Sequence, residues 1–296
     1  MRIGLTGASG FIGREIIRQA GEQRDVVVAF SRNPQTAIPG ATEIRVFGAD
    51  LDLAGLDAVI HLAGEPIFGL WTPAKRQKIL DSRVQGTRWV VEAINRAKYP
   101  VKVLVTASGV SIYGNRGDEL LPESAAIGNS GVLRDVAVAW EREAQRAQNA
   151  GVRVVYSRVA MVLGREAGAL PLMARVFRLG AGGKLGTGRQ WMPWIHIHDV
   201  AALFLHAART EQLNGPVNAC APNPVQNADF TRILGNIVQR PTLFSVPGFI
   251  LKAALRNESS LLLDSLRVIP ERALQSGFVF RFPELRPALT DALGES

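Results

Sequence analysis

Twelve residues near the N-terminus, Arg-Ile-Gly-Leu-Thr-Gly-Ala-Ser-Gly-Phe-Ile-Gly (2–13), have the types and spacing needed to hold a pyrophosphate. Gly7, Gly10 and Gly13 recur every third residue, between a short apolar strand and a helical pattern carried by Ile12, Ile16, Ile17 and Ala20. The chemistry needs glycine at such points. One turns sharply out of the strand, one lets the backbone approach phosphate oxygens, and one packs helix against sheet. The N–H groups that open the helix, with its dipole behind them, then attract the anion. This reading places Gly7, Ser9, Gly10, Phe11 and Ile12 at a dinucleotide. The second strand ends at Ser31 and Arg32, where an NAD enzyme carries an acid for the adenosine ribose. A hydroxyl and a guanidinium suit a 2′-phosphate instead, so NADP(H) is the expected cofactor.

These residues need a scaffold, and the pattern around them supplies one. Apolar strand candidates at 2–6, 25–30, 43–47, 57–62, 101–107 and 152–158 alternate with helical stretches at 11–22, 73–97 and 132–150. That alternation predicts an α/β fold, a Rossmann-type doubly wound parallel sheet. Composition changes after Val162-Leu163-Gly164, and further helical segments fall near 199–209, 227–238 and 248–273. The expected division is a dinucleotide-binding domain over 1–163 and a smaller substrate-side subdomain over 164–296, with later residues completing the sheet.

Composition narrows the class. The chain has 296 residues, 47% of them hydrophobic, enough to bury a full core. No apolar run reaches the roughly 18 residues of a membrane span, and no signal-peptide pattern precedes the first strand. The single cysteine, Cys220, rules out an internal disulfide framework and suits a cytoplasmic protein. The net charge of +8 is spread along the chain rather than massed in a stripe, so no nucleic-acid partner is expected. His196 and His198 lie two apart without an evident third ligand, so no metal is expected. The expected partner is a small-molecule substrate, and the chain a monomer or homodimer.

The spacing Thr6-Gly7-x-x-Gly10-Phe11-Ile12-Gly13 resembles the extended, sugar-epimerase-like members of the short-chain dehydrogenase/reductase superfamily. Asp50-Leu51 resembles the acidic pair near the adenine, and His61-Leu62-Ala63-Gly64 the motif ending the fourth strand beside the ribose. Ser82-Arg83-Val84-x-Gly86-Thr87 stands where these members write N-V-x-G-T, and Trp194 to Asp199 resembles Y-I-H-V-x-D. Ala63 to Ile67, Trp71 to Arg83, Trp140-Glu141, Gly188 to Trp191 and Val268 to Phe278 resemble an atypical subfamily with a C-terminal domain of unknown function. The resemblance implies cofactor contacts at Asp50, Leu62, Ala63, Gly64, Arg83 and Ala107, and an oxidoreductase or epimerase acting on a carbonyl or sugar-like molecule.

One departure is chemical. Ordinary members carry a Tyr and a Lys four positions apart on one helix, the Lys lowering the Tyr pKa so that the phenol moves a proton. Aligned through Trp140-Glu141, those positions hold Leu133 and Ala137, and no Tyr-x-x-x-Lys occurs anywhere. Ser108 and Tyr113, with Ser111 and Glu123 behind them, are the remaining catalytic candidates. If these fail, the alternative is a catalytically silent NADPH-binding sensor or partner-binding protein. The position where sugar-nucleotide epimerases place a diphosphate-binding Arg holds Met192, with Arg189 and Lys184 upstream. The Gly-rich stretch 180–190 reads either as a substrate lid or as a plain exposed loop, and Trp71, Trp191 and Trp194 suggest a flat apolar ligand, with at least one of them expected in buried packing.

Overall fold

The computed structural model describes residues 1–67, 69, 71–255 and 259–295. The near-continuous apolar runs become strands of one seven-stranded sheet. They are β1 (Arg2–Thr6), β2 (Val26–Ser31), β3 (Glu43–Val46), β4 (Ala58–His61) and β5 (Val103–Gly109), followed by Arg153–Val159 and Gly215–Ala219. Their order across the sheet is β3, β2, β1, β4, β5, Arg153–Val159, Gly215–Ala219. Pairings β1–β2, β1–β4, β2–β3 and β4–β5 are all parallel, with Leu5 opposite Ala29 and Ile60. This is the doubly wound arrangement, whose ligand sites lie at the carboxyl ends of the strands where the order reverses around β1.

The connecting helices are α1 (Phe11–Glu22), α2 (Pro73–Arg96) and α3 (Val132–Gln145). Thr72 caps α2, its side chain accepting from Lys75 N, and Pro73 opens the first turn. The expected helix 132–150 stops at Gln145 and continues as a 3-10 turn, Arg146–Ala150, closed by Gly151 at φ 73°. Val28, Phe30, Leu56, Val59, Val90, Ile94, Leu104 and Val154 form a core packed from both the sheet and its helices.

The chain divides into two compact units of comparable size that interleave in sequence, rather than parting at residue 163. The first comprises 1–109, 135–158 and 201–217; the second comprises 110–134, 159–200 and 218–296. The reason is topological: helix Ile197–Arg209 and most of the last strand return to the sheet, while the chain following β5 leaves it.

The second unit has its own core of Leu163, Leu170, Phe177, Trp194, Phe230, Leu234, Phe282 and Leu289. Two helices there, Leu170–Arg178 and Leu285–Leu293, escaped the sequence reading. The expected helical segment 248–273 is broken. Helices Gly248–Leu255 and Ser260–Leu263 end before Arg267–Val268, which pairs with Leu120–Leu121, and Pro270 starts the short helix Glu271–Gln275. Residues 256–258 of that segment lie outside the described residues. Among the described residues no helix is long and apolar enough to cross a membrane.

Candidate functional site

In the first unit the glycine loop is built as its spacing requires. Gly7 takes φ 69°, a left-handed conformation that favours glycine, and Gly10 N donates to Gly7 O at 2.9 Å. A Cβ at Gly13 would press on the Gly7 carbonyl oxygen and lie 2.8 Å from Ala8 Cα, so helix and turn meet backbone to backbone there. Helix α1 begins after Gly10 with no side-chain cap and no acid in its first turn. Its opening amides therefore keep their anion-binding character.

The loop is held by a buried polar chain that the sequence reading did not single out. Thr6 Oγ1 accepts from Leu62 N and Ala63 N, both at 3.1 Å, and contacts His61 Nδ1 at 2.7 Å. With its acceptor positions filled, Thr6 gives its one proton to Nδ1, and Nε2–H of His61 donates to Thr87 Oγ1 at 3.1 Å. Burial, reinforced by the nearby Arg83 charge, pushes the His61 pKa down to about 3, so the ring stays neutral as this tautomer needs. Residues 6, 61 and 87 thus fix the His61–Gly64 segment against the glycine turn.

The other expected cofactor positions are spread along the same strand ends. Gly10, Ser9 and Gly64 are exposed, and Phe11, Ile12, Leu62 and Ala63 half-buried. Ser31 closes a turn, donating to Asn33 O at 2.9 Å, while Arg32 and Asp50 are exposed. Ala107 is buried within β5. Arg83 is more confined than a surface helix charge. Its Nη1 donates to Glu65 O at 2.9 Å and to Ile79 O at 3.1 Å, and its guanidinium lies 5.0 Å from the Trp140 ring centroid. Burial lowers its pKa to about 10, leaving it charged.

The two catalytic candidates fall in different units. Ser108 Oγ donates to Glu141 Oε1 at 2.8 Å, and Arg158 grips both carboxylate oxygens of Glu141 at 2.9 Å. Leu133, Ala137 and Glu141 succeed one another at four-residue steps on α3, so the first polar group on the face that lost Tyr and Lys is this glutamate. Counting one more turn along the helix would have found it.

Tyr113 is fully buried, and its hydroxyl donates to Asn218 Oδ1 at 2.8 Å with Pro122 O at 3.3 Å. Asn218 N and Arg272 N donate to Glu123 at 2.9 and 3.2 Å, and Asn218 Nδ2 donates to Leu121 O and Ile269 O. Tyr113 and Glu123 are thereby placed as anchors that tie distant segments of the second unit together. Burial pushes the Glu123 carboxyl above its usual range.

The stretch 180–190 is not a free lid. Gly183–Leu185 pairs in parallel with Phe244–Val246, Leu185 N donates to Asn227 Oδ1 at 2.8 Å, and Gln190 Nε2 donates to Leu185 O and Leu262 O. Trp71 and Trp194 are buried, and Trp191 donates to Asp118 at 2.6 Å beneath the Arg267 guanidinium. His196 stacks on Phe282, ring centroids 4.0 Å apart, with Nε2 3.2 Å from Asp291. A cavity of about 480 Å³ in this unit is lined by Asn115, Asp118, Thr187, Arg189, Phe249 and Ser265 among others. That volume is in the range of small-molecule sites.

Comparison with known proteins gives this geometry a context. Residues 3–220 match the model of the NAD dependent epimerase/dehydratase family, and 246–292 match a domain of unknown function, DUF1731. Epimerase family protein YfhF of Bacillus subtilis is 37% identical over 300 residues, covering 100% of this chain and 99% of its own. The crystal structure of human epimerase family protein SDR39U1 with NADPH is 32% identical, with a TM-score of 0.92 over 99% of each chain. A nucleoside-diphosphate sugar epimerase from Corynebacterium glutamicum is 31% identical with a TM-score of 0.80, covering 99% of this chain and 58% of that one. With a glycine turn opening an uncapped helix and this match along nearly its whole length, the chain belongs to the NAD dependent epimerase/dehydratase family.

Proposed function

We propose that the chain binds NADP(H) and transfers hydride between its nicotinamide and a small carbonyl- or sugar-like molecule, as an atypical oxidoreductase or epimerase. The observation that carries the reading is the α1 start, whose amides lie behind the Gly7–Gly10 turn without a side-chain cap. Arg32 at the end of β2 and the NADPH in the human relative's structure both favour the phosphorylated cofactor. The cofactor supplies the hydride chemistry; the chain supplies binding and proton handling.

Ser108 is the proposed proton carrier. Its own proton points at a carboxylate, so its lone pairs suit a substrate hydroxyl. In the oxidising direction the substrate O–H proton passes to Ser108, the Ser108 proton passes to Glu141, and the C–H hydride leaves to NADP⁺. The products are a carbonyl, a neutral Glu141 and NADPH. Arg158 orients Glu141 throughout.

The test has two parts. NADPH should bind at least tenfold more tightly than NADH, about 1.4 kcal/mol, and Arg32→Ala should remove most of that gap. Equal titration curves for both cofactors in the unaltered protein sink the NADP(H) assignment. In a carbonyl and sugar-nucleotide screen, Ser108→Ala should lower any turnover by about a hundredfold. A second reading, the silent NADPH-binding sensor, is favoured by Leu133 and Ala137, which cannot ionise, and by the commitment of the Tyr113 hydroxyl to Asn218. Cofactor binding with no turnover across that screen selects it.

A further inference from the structure

The segment between β4 and α2 carries charge that the glycine loop does not account for. A Cβ at Gly7 would sit 3.0 Å from Ala63 N and 3.1 Å from Leu62 Cβ, so residues 62–63 lie directly against the loop. Two positions further on, the backbone of Glu65 is fixed at both ends. Its N–H donates to Ser82 Oγ at 2.9 Å, and its carbonyl accepts from Arg83 at 2.9 Å. Its carboxylate is gripped by Lys75 Nζ at 2.6 Å. Lys75 is equally placed, in the first turn of α2 with its N–H on the Thr72 cap.

Other cations share this neighbourhood. The Lys75 hydrogen bond holds the Glu65 carboxyl below its usual range, and the charges of Lys75, Lys78 and Arg32 deepen the effect. Arg32 belongs to the end of β2, on the far side of β1 from β4. One carboxylate therefore sits in the field of Lys75, Lys78 and Arg32 and cannot neutralise them all. Glu65 follows the carboxyl end of β4 and Arg32 that of β2, the two strands that flank β1. Folding does not explain this positive surplus. The side chains of Lys75 and Glu65 are 22% and 36% exposed, and pairs that open to solvent contribute little to stability.

We infer that Lys75, presented by Glu65, is a second phosphate-binding cation of the dinucleotide site, acting with Arg32 on the phosphate groups of the cofactor. The inference rests on the NADP(H) reading above. An ammonium has three donors on a flexible stem, so Lys75 can keep Glu65 with one N–H and turn another to a phosphate oxygen. Glu65 then limits where the cation can stand, which favours a ligand with phosphates at fixed separation over any passing anion.

Dissociation constants for NADPH, NADH and 2′,5′-ADP, measured by titration on the intact protein, test this. Lys75→Gln should weaken NADPH binding about tenfold, and Lys75→Arg should recover to within about threefold, since a guanidinium reaches the same partners. Lys102→Gln removes an equal charge from an exposed site just before β5, at the amino end of that strand and so at the opposite end of the parallel strands from the glycine loop, and should change nothing. A loss shared by NADPH and NADH supports the proposal and assigns Lys75 to the pyrophosphate. A loss confined to NADPH and 2′,5′-ADP supports it and assigns the 2′-phosphate. Unchanged constants in Lys75→Gln, or equal losses in Lys75→Gln and Lys102→Gln, overturn it. An unaltered protein that binds neither dinucleotide overturns the cofactor reading itself, a different failure.

Discussion

The loop Gly7–Gly13 and the loop Gly180–Gln190 are both rich in glycine, but their backbone polar groups go to different places. In the first, the turn bonds Gly10 N to Gly7 O and then leaves the amides at the head of α1 without a side-chain cap. In the second, Gly186 N donates to Val246 O, Gly188 N to Leu185 O, and Gly188 O accepts from Ala228 N. The side chains of Asn227 and Gln190 take the amide and the carbonyl of Leu185. Glycine spacing alone does not separate the two. What separates them is the element that follows: a helix aims successive amides at one point, whereas short strands and side-chain amides consume them.

The largest effects should come from the first loop. Gly10→Val adds a branched side chain whose Cβ sits 3.0 Å from Gly7 O, where phosphate oxygens must approach. NADPH affinity should fall by about a hundredfold or more, with the far-ultraviolet spectrum unchanged. Gly13→Ala should go further and unfold the turn, because its Cβ would press into the backbone of Gly7 and Ala8. A folded Gly10→Val protein that still binds NADPH within about threefold of the parent would erase the distinction between the loops.

The second loop should show the converse pattern. Gln190→Ala removes two side-chain hydrogen bonds, to the carbonyls of Leu185 and Leu262, at a residue only 7% exposed, and leaves Leu185 O with the Gly188 amide. The expected cost is about 1–3 kcal/mol, read as a Tm lower by roughly 2–10 °C. NADPH affinity should stay within about threefold, so stability and binding respond in opposite order at the two loops.

A smaller, pH-dependent effect should come from Glu123. Burial raises its folded pKa above the ordinary 4.5, so the folded state favours the neutral carboxyl. Its contribution to stability is complete below 4.5 and is lost as pH rises through the raised folded value. Glu123→Gln keeps an acceptor for Asn218 N and Arg272 N without the buried charge. The variant should match the parent near pH 4 and be the more stable of the two at pH 7, in thermal melts across that range. A stability difference between variant and parent that does not change with pH would show that folding leaves the Glu123 pKa where it is in the unfolded chain.

The same contrast governs how much could be read from residues in order. Helix α1 begins and ends where its apolar period and glycine spacing place it, at Phe11 and Glu22, because both signals are local. The role of Tyr113 was not legible, since its partner Asn218 is 105 residues away and no local pattern joins them. Glu141 is an intermediate case. Its place on the face of Leu133 and Ala137 follows from helix geometry, but its contacts with Ser108 and Arg158 require β5 and the Arg153–Val159 strand to lie beside α3.

The sequence by itself determined the parallel sheet, the glycine turn and the absence of a Tyr-x-x-x-Lys pair, since these rest on residue type, apolar period and spacing over a few turns of chain. Only the tertiary structure decided which polar groups stay open and which are consumed. Ser108 goes to Glu141, Tyr113 to Asn218 and Gln190 to the carbonyls of Leu185 and Leu262, while Lys75 closes on Glu65 beside the loop. Whether a hydroxyl, amide or ammonium is available for chemistry depends on burial and on partners that are close in space and distant in sequence, and neither is a property of the local chain.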